Sequence, residues 1–372
     1  MRVTLVDLQS QYHAIKHEVD DAVLSVLESG RYIHGENCSM LEEEIASLEG
    51  THYGIGVASG TDALKLALGA MGIGEGDEVI TTPFTFVATV EVLVQIHAKP
   101  VFVDIDPVTF NLDVNLIEAA ITDKTKAILP VHLYGQCADM TEICEIAKKY
   151  GLKVLGDGAQ AIGSEHNGQP MAKWGDAATL SFFPTKNLGA AGDAGMVLTD
   201  DPEIDHIVRS LRVHGMNGGG YIYRHIGYTS RLDEIQAAIL RSKLRHLPEW
   251  TEQRRRNASI YMKALSGVDV VLPEVHDHNL HTYHQFTIRH PRRDNLKEFL
   301  KERGVDSAIY YPLCIHTQNA YEFLGYSEND FPEAERAAAE VISLPIHQHL
   351  SAEQIEFASE LVCQFTQERV SI

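Results

Sequence analysis

Short apolar segments of strand length alternate with segments of helical pattern over the first part of the chain, up to about residue 240. The strand-like runs are GDEVITTP, KPVFVD, KAILPVHLYG, LKVLGDGA, ATLSFF and AGMVLTD, and helical patterns such as DALKLALGAMG and EICEIAKKYG lie between them. Nearly continuous apolar strands separated by helices are typical of a mostly parallel sheet covered on both faces. We therefore predict a large α/β domain over residues 1–245.

The pattern changes near Leu240. A long charged helical segment, LRSKLRHLPEWTEQRRRNASIYMKAL, is followed by the strand candidate YHQFTIRH and the helix candidate DNLKEFLKERG. This mixture predicts a second, smaller α+β domain over residues 246–372. The glycine-rich segment HGMNGGGYIYRH, residues 214–225, is typical of a loop. With 372 residues, 44% of them hydrophobic, the chain is long enough for two domains that share a cleft.

The charge of the chain excludes several classes of partner. It has 31 Lys and Arg against 52 Asp and Glu, and this formal net charge of -21 opposes binding to nucleic acids and anionic membranes. The opening stretch MRVTLVDLQSQYH lacks a cationic segment followed by a long apolar run, and no run of about 18 apolar residues occurs. We expect a cytoplasmic protein with no nucleic-acid or membrane partner.

Neither the cysteines nor the histidines indicate a disulfide or metal site. The five cysteines lie far apart without CxxC spacing, so we expect reduced thiols. His276, His278, His281 and His284 are close together in VHDHNLHTYH, but without the carboxylate or HExxH frame of a metal site. We predict that no metal binds there.

Four polar clusters fall at predicted strand ends, where the ligands of a parallel sheet gather. In the first, ASGTDALKLAL, a turn of small residues leads into a helix. Gly60, Thr61 and Asp62 could offer backbone N–H groups and the positive end of the helix dipole to a phosphate. An ordinary helix cap made by Thr61 or Asp62 is the alternative.

The second and third clusters contain candidate catalytic groups. In KVLGDGAQAIG, Asp157 closes a strand and Gln160 follows; the carboxylate could pair with a protonated ring nitrogen or serve only as a turn or cap residue. In SFFPTKNLGAAGDAG, Ser181 could contact a phosphate while Lys186 binds an aldehyde as a Schiff base. A solvated loop lysine is the alternative, but the small residues after Lys186 favour close approach by a cofactor.

The fourth cluster is TTPFTFVATVEVL, in which Phe84 and Phe86 follow a proline. An aromatic residue at such a place usually belongs to the core. Beside the other clusters, one of these rings could instead cover the face of a flat cofactor.

Together the clusters resemble the DegT/DnrJ/StrS family of pyridoxal-phosphate (PLP) sugar aminotransferases, which have fold type I. The resemblance extends over nearly the whole chain and includes SGRYIHG, KPVFVDIDPVTFNLD, TKAILPVHLYGQCADM, TSRLDEIQAAIL and SLPIHQHL. It implies the α/β fold of fold type I PLP-dependent transferases, with PLP as the cofactor. It also implies a homodimer whose subunits share their active sites.

The resemblance implies roles for particular residues. Lys186 would hold PLP and move protons, Asp157 would pair with the pyridine nitrogen, Gln160 would contact the ring hydroxyl, and Phe86 would stack on the ring. The residues implied in phosphate binding are Gly60, Thr61, Ser181 and Thr229.

Three positions depart from the family pattern. Thr229 stands where an Asn commonly precedes Ser-Arg-Leu-Asp, which concerns the contact made across the subunit interface. Gly156 and Gly158 flank Asp157 where Glu and Ala are usual, which concerns the rigidity around the carboxylate. Tyr310 stands where a His often precedes the Tyr-Pro pair, which concerns substrate recognition.

The resemblance implies L-glutamate as amino donor and a keto group of a nucleotide-linked sugar as acceptor. SFFPTKNLGAAGDAG and VHLYGQCADM are most similar to members that aminate position 3 of a dTDP-linked keto-deoxysugar. Members acting at position 4 and cyclitol aminotransferases are the alternatives. The candidate substrate-binding residues are Tyr310, Tyr311, His316, His225 and Arg31, with Arg224 and Arg231 as further positive charges for a diphosphate.

Two functions of other classes compete with this one. PLP-dependent dehydratases on the same scaffold replace the Schiff-base lysine by histidine, so Lys186 argues against that class. A non-catalytic regulatory or sensory protein would be favoured by loss of the lysine or the aspartate, and both are present.

Overall fold

The computed structural model describes residues 1–218 and 221–368. Gly219 and Gly220 of the predicted loop, and the last four residues of the predicted C-terminal domain, lie outside the described residues. The strands are β1 (Tyr53–Val57), β2 (Glu78–Thr81), β3 (Lys99–Phe102), β4 (Thr125–Ile128), β5 (Lys153–Asp157), β6 (Glu165–His166), β7 (Gln169–Pro170), β8 (Ala177–Ser181), β9 (Gly195–Thr199), β10 (Asn279–Leu280), β11 (Phe286–Arg289) and β12 (Val341–Leu344). The α-helices are α1 (Leu8–Ala14), α2 (Lys16–Ser29), α3 (Glu36–Leu48), α4 (Gly60–Ala70), α5 (Ala88–Gln95), α6 (Val114–Ala120), α7 (Met140–Tyr150), α8 (Pro202–Leu211), α9 (Glu234–Leu244), α10 (Leu247–Ala264), α11 (Arg293–Glu302), α12 (Pro332–Glu340) and α13 (Ala352–Gln367).

The central sheet has the strand order β1-β9-β8-β5-β4-β2-β3. Strands β3, β2, β4, β5 and β8 are parallel to one another, whereas β9 pairs antiparallel with both β1 and β8. The predicted α/β fold with a mostly parallel sheet is therefore confirmed. The segment AGMVLTD supplies the antiparallel strand.

Strand β9 shows why helices cover both faces of this sheet. Met196 and Leu198 pack in a core cluster with Leu41 and Leu240, whereas Val197 packs in the cluster on the other face. Because side chains of a strand alternate between its faces, a strand buried along its whole length needs a layer on each side. Helices α3 and α9 cover one face, and α4 and α8 cover the other.

A second, smaller sheet lies within residues 246–372. Strands β11 and β12 pair antiparallel, and α10, α11 and α13 contribute to the apolar cluster around them. The amino terminus reaches the same cluster, since Val3 is buried in it and Val3 N donates a hydrogen bond to Gly304 O at 2.9 Å. The boundary between the two domains stays a prediction.

The length and hydrophobicity of the helices can be compared with the thickness of a bilayer. Within residues 1–218 and 221–368, none of them is both long enough and apolar enough to cross a bilayer.

A buried carboxylate anchors β1, the strand that leads into the first predicted cluster. Glu42 of α3 accepts hydrogen bonds from Arg212 Nη1 at 2.6 Å, from Arg209 Nη1 at 2.8 Å and from Gly56 N at 2.9 Å. Burial on its own raises the pKa of Glu42, but Arg212 and Arg209 outweigh it, so the pKa is lowered and the carboxylate stays charged. The network ties α3 and the end of α8 to β1.

Replacing this carboxylate should destabilise the protein. Glu42→Ala leaves Arg212 buried without its partner, so we expect the free energy of unfolding to fall by about 3–5 kcal/mol. Urea unfolding followed by tryptophan fluorescence measures the change. Glu43→Ala, at an exposed position of the same helix, is the matched control and should change stability by less than about 0.5 kcal/mol. Equal stability of the two variants would contradict the anchoring role.

Candidate active site

A cavity of about 580 Å³ opens at the carboxyl ends of the parallel strands. Its wall is formed by the turn between β1 and α4, the ends of β5 and β8, the segment after β8, and two short segments from the C-terminal region. The residues predicted from the sequence that line this cavity are Gly60, Thr61, Phe86, Asp157, Gln160, Ser181, Lys186, Tyr310 and Tyr311.

The first cluster forms the start of α4. Ser59 is the N-cap, because its Oγ accepts a hydrogen bond from Asp62 N at 3.1 Å; Thr61 and Asp62, the predicted alternatives, are not the cap. Residue 60 must be glycine because a Cβ atom there would lie only 2.7 Å from the Cβ atom of Ser181. This close approach brings Ser181 to the positive end of α4, which suits an anion such as phosphate.

Asp157 closes β5 and is 5% exposed. Its Oδ2 accepts a hydrogen bond from Thr89 Oγ1 at 2.8 Å, and its Oδ1 accepts one from Ala159 N at 3.1 Å. Burial raises the pKa of Asp157, while these two hydrogen bonds and the charge of Lys186 act in the opposite direction. Among the described residues, no cationic side chain lies at ion-pair distance from this carboxylate, so it can receive a cationic group of a ligand.

The sequence analysis missed the threonines behind Asp157. Thr89 is buried near the start of α5, and the Oγ1 atoms of Thr85 and Thr89 lie 2.9 Å apart. Two threonines four residues apart in TFVAT are a weak signal. Nothing in the sequence shows that Thr89 faces a carboxylate 68 residues later.

The two glycines beside Asp157 occupy positions where no side chain fits. A Cβ on Gly156 would lie 2.9 Å from His132 Nε2, and a Cβ on Gly158 would lie 2.3 Å from Met171 Cε. Burial lowers the pKa of His132 to about 3, so its ring is neutral. Glycine at these two positions, where the family usually has Glu and Ala, thus leaves room for His132 and Met171 to pack closely against the strand.

Lys186 lies in a tight turn after β8. Its backbone N–H donates to Phe183 O at 2.9 Å, and a Cβ on Gly189 would lie 2.3 Å from Pro184 O, so the small residues after the lysine allow the chain to fold back on itself. Burial lowers the pKa of Lys186 to about 8, although the charge of Asp157 opposes the shift. An amine of this kind is partly neutral near neutral pH and is suited to attack on a carbonyl carbon.

Gln160 connects the sheet to the C-terminal wall of the cavity. Its Oε1 accepts a hydrogen bond from Tyr134 N at 2.8 Å, and its Nε2 donates to Tyr311 Oη at 3.1 Å. Burial raises the pKa of Tyr311, so the phenol stays neutral. The rings of Phe86 and Tyr311 are tilted by 40° to each other, with centroids 6.1 Å apart. Tyr310 also lines the cavity beside Tyr311.

His284 is a second cavity residue whose position the sequence did not indicate. Asn187, directly after Lys186, donates from Nδ2 to Thr282 O at 3.1 Å, so its Oδ1 is the atom that accepts from His284 Nδ1, 3.2 Å away. Burial, helped by the charge of Lys186, lowers the pKa of His284 well below its usual value. The geometry therefore assigns a neutral ring with its proton on Nδ1.

Three residues predicted to bind cofactor or substrate lie on the exposed surface of the single chain. They are Arg31, His225 and Thr229, and Thr229 Oγ1 lies 3.1 Å from His214 Nε2. None of the three is part of the cavity wall described above.

His316 lies outside the cavity wall. Its side chain is buried, its Nε2 lies 3.1 Å from Glu335 Oε1, and its ring packs against Phe331 with centroids 4.9 Å apart. The single chain therefore offers no support for the predicted contact between His316 and the substrate, which stays a prediction.

The four neighbouring histidines separate in the fold. His284 lines the cavity and His281 is buried, whereas His276 and His278 lie beside Asp139. The premise that these histidines lack a carboxylate is therefore wrong. Asp139 comes from a segment 137 residues before His276, which the sequence alone could not reveal.

Comparison with known proteins shows which family the chain matches. Residues 13–362 match the DegT/DnrJ/EryC1/StrS aminotransferase family. The chain is 50% identical to a pleiotropic regulatory protein of Geobacillus stearothermophilus, covering 98% of this chain and 99% of that protein. It is 46% identical to a UDP-N-acetyl-3-dehydro-α-D-glucosamine 3-aminotransferase of Acidithiobacillus ferrooxidans, covering 95% of each. Relatives at 41–42% identity are named as dTDP-3-amino-3,4,6-trideoxy-α-D-glucose transaminases.

A solved structure gives the same picture. The crystal structure of Streptomyces venezuelae DesV in complex with a ketimine intermediate matches with a TM-score of 0.97 and 40% identity, covering 100% of both chains. Residues 1–218 and 221–368 thus have the fold of that protein.

The pH dependence of Lys186 labelling tests the electrostatics of the cavity. Acetic anhydride reacts with neutral amines, so modification of Lys186 in protein freed of carbonyl ligands should reach half its maximal rate at about pH 8. Asp157→Asn should move this midpoint to lower pH, because it removes a charge that favours the ammonium form. Peptide mass spectrometry measures both rates. A midpoint near 10.5, the ordinary lysine value, would contradict the burial of the amine.

Proposed function

We propose that this chain, which belongs to the DegT/DnrJ/EryC1/StrS aminotransferase family, transfers an amino group from L-glutamate to the position-3 keto group of a nucleotide-linked deoxysugar. The observation that carries the proposal is the convergence of Lys186, the buried Asp157 and the helix terminus at Gly60 on one cavity. Those three features match the aldehyde, the ring nitrogen and the phosphate of PLP, the cofactor of this family.

The residues of the cavity fit PLP in charge and in space. Asp157 is a buried carboxylate to which no cationic side chain within the described residues is paired, and a protonated pyridine nitrogen would supply that missing charge. Gly60 and Ser181 make an anion site at the start of α4. When bound, PLP supplies an electron-withdrawing ring that stabilises the negative charge left on a carbon that has lost its proton.

Lys186 has two tasks in this proposal. Its Nζ would hold the cofactor aldehyde, and once released it would accept the proton from the amino-bearing carbon of the donor and return a proton to the carbon that becomes aminated. A pKa of about 8 suits both directions, because a proton carrier works best when its pKa is close to the working pH.

The choice of position 3 rests on the chain's own motifs and on the names of its relatives. SFFPTKNLGAAGDAG and VHLYGQCADM resemble members that act at this position, and three relatives, at 46%, 42% and 41% identity, are named for 3-amino or 3-dehydro sugars. We propose a dTDP sugar as the acceptor, with a UDP sugar as the alternative. Tyr310 and Tyr311 are the cavity residues that we assign to the sugar.

We also propose a homodimer with shared active sites. Arg31, His225 and Thr229 are exposed on the single chain. In this proposal they face the partner's cavity, where Thr229 would contact the phosphate of the cofactor and the arginine would contact a diphosphate.

A panel of acceptors tests the proposed function. Purified protein with PLP and L-glutamate is incubated with dTDP- and UDP-linked sugars that carry a keto group at position 3 or 4, and the amino sugar is identified by mass spectrometry and NMR. We expect amination of a 3-keto dTDP sugar, and no product with Lys186→Ala. Turnover of 4-keto sugars alone would contradict the assigned position.

A regulatory role is the second candidate, because the relative at 50% identity is named a pleiotropic regulatory protein. If the same panel gave no product while the protein bound PLP, this candidate would replace the enzymatic one.

Removing the Asp157 carboxylate should abolish most activity. Asp157→Ala would leave the ring nitrogen without its buried partner, a loss of about 3–5 kcal/mol that corresponds to a rate lower by roughly 150- to 5,000-fold. Steady-state kinetics at saturating PLP measures kcat. Asp157→Asn, which keeps the shape and removes the charge, should be nearly as impaired. Wild-type turnover in Asp157→Ala would refute the assignment.

Thr89 should act as a positioning residue for Asp157. Thr89→Val removes a hydrogen bond that lowers the pKa of Asp157, so the decline of activity on the acid side should move to higher pH. The rate should fall by roughly 10- to 100-fold, as expected for one hydrogen bond to a charged group. Thr89→Ser keeps the hydroxyl and should restore both rate and pH profile. Identical pH profiles for Thr89→Val and the wild type would argue against this role.

A further inference from the structure

A group of three side chains outside the cavity has the donor atoms of a metal site. Asp139 Oδ1 lies 3.3 Å from His276 Nδ1 and 3.4 Å from His278 Nε2, and the three donor atoms lie within 4.8 Å of one another. We propose that Asp139, His276 and His278 bind one divalent first-row transition-metal ion per chain, and that Zn²⁺ suits this donor set.

The spacing of the donors agrees with tetrahedral coordination. Zn²⁺ binds imidazole nitrogen and carboxylate oxygen at about 2.0–2.2 Å, which puts neighbouring donors of a tetrahedron roughly 3.3–3.5 Å apart. Both distances from Asp139 to the histidine nitrogens fall in or at the edge of that range. The donor atoms of His276 and His278 lie within 4.8 Å of each other, so they would have to come closer if this upper limit is approached.

The site is open to solvent on one side. The side chains of His276, His278 and Asp139 keep 28%, 40% and 23% of their exposure. An ion can therefore enter directly from solution, and water can take the fourth position. Three protein ligands with one water is a common arrangement for Zn²⁺.

Hydrogen bonds hold the backbone of the two histidines in place. Gln136 Oε1 accepts from His276 N at 3.0 Å, and Gln136 Nε2 donates to Glu274 O at 3.0 Å. Asn279 Nδ2 donates to Cys137 O at 3.0 Å, and Asn279 N donates to His276 O at 2.8 Å. The segment that carries the histidines is thus fastened to the segment that leads to Asp139, so little ordering is needed when an ion binds.

Asp139 is also available as a ligand. It occupies the N-cap position of α7, where an aspartate commonly accepts a hydrogen bond from the first turn. Among the described residues its carboxylate makes no such capping bond, and it is turned towards His276 and His278 instead. Two imidazole N–H groups that donate hydrogen bonds to the Asp139 carboxylate would give the same distances. The experiment must distinguish this hydrogen-bonded arrangement from metal binding.

A bound ion would join two distant parts of the chain. It would crosslink the segment that ends at Asp139 to the segment that begins after Pro273. The two segments also pair with each other nearer the cavity, since Thr282 N donates to Gly135 O at 2.9 Å, and the N–H of the cavity residue Gln285 donates to Tyr134 O at 3.2 Å. A bound ion would therefore hold together the two segments that lead towards the C-terminal wall of the cavity.

Metal titration of the intact protein tests the proposal. Tag-free, PLP-loaded protein is treated with a chelator, dialysed and titrated with Zn²⁺ against a chromophoric competitor. We expect one ion per chain, a visible Co²⁺ spectrum of tetrahedral intensity when Co²⁺ replaces Zn²⁺, and a higher Tm, by a few degrees, at saturation. The double variant His276→Ala, His278→Ala should bind at least tenfold more weakly and lose the rise in Tm.

Two further variants serve as a control and as a second test of the metal ligands. His52→Ala removes an exposed histidine 2.9 Å from Asp200, a histidine–carboxylate pair, and should leave binding unchanged. Asp139→Asn retains the shape of the ligand, so it serves if the double variant fails to fold, and it should also weaken binding at least tenfold. No stoichiometric binding by the wild type, or equal binding by Asp139→Asn, would overturn the proposal and leave the hydrogen-bonded reading.

Discussion

The buried carboxylate of Asp157 is the constraint around which the cavity is arranged. Burial of an anion is costly unless hydrogen bonds and an opposite charge compensate it. Thr89 and the Ala159 N–H supply two hydrogen bonds, and in the described part of the chain no side chain supplies a paired cation. In the proposed function, the ring nitrogen of the cofactor would complete the compensation from outside the chain.

The position of the lysine follows from the same low-polarity surroundings. Burial that favours a neutral amine at Lys186 also raises the pKa of Asp157, so the two groups are pushed in opposite senses by one environment. Two close contacts of the cavity wall depend on positions that carry no side chain. Gly60 lets α4 meet Ser181, and Gly189 lets the chain after Lys186 turn back on Pro184. The run of small residues after the lysine thus has a steric cause.

The parts of the site that could be predicted are those that leave a pattern in a short stretch of sequence. Strand ends, a helix start and a lysine among small residues led to the α/β fold and to Lys186 and Asp157 in one cavity. Contacts between distant segments were not predictable, because no periodicity reports them. Thr89 meets Asp157 and Asp139 meets two histidines only through the tertiary fold. The burial of His316 was not predictable for the same reason, since the sequence around a polar residue does not show which way its side chain points.

The most direct test of this account is the absorption spectrum of the PLP-loaded protein before and after addition of L-glutamate, recorded for the wild type and for Lys186→Ala. We predict that the wild type shows a band of bound PLP that converts to the band of pyridoxamine phosphate, and that Lys186→Ala does not convert. Absence of any cofactor band in the wild type after incubation with PLP would contradict the central claim that these residues form a cofactor site.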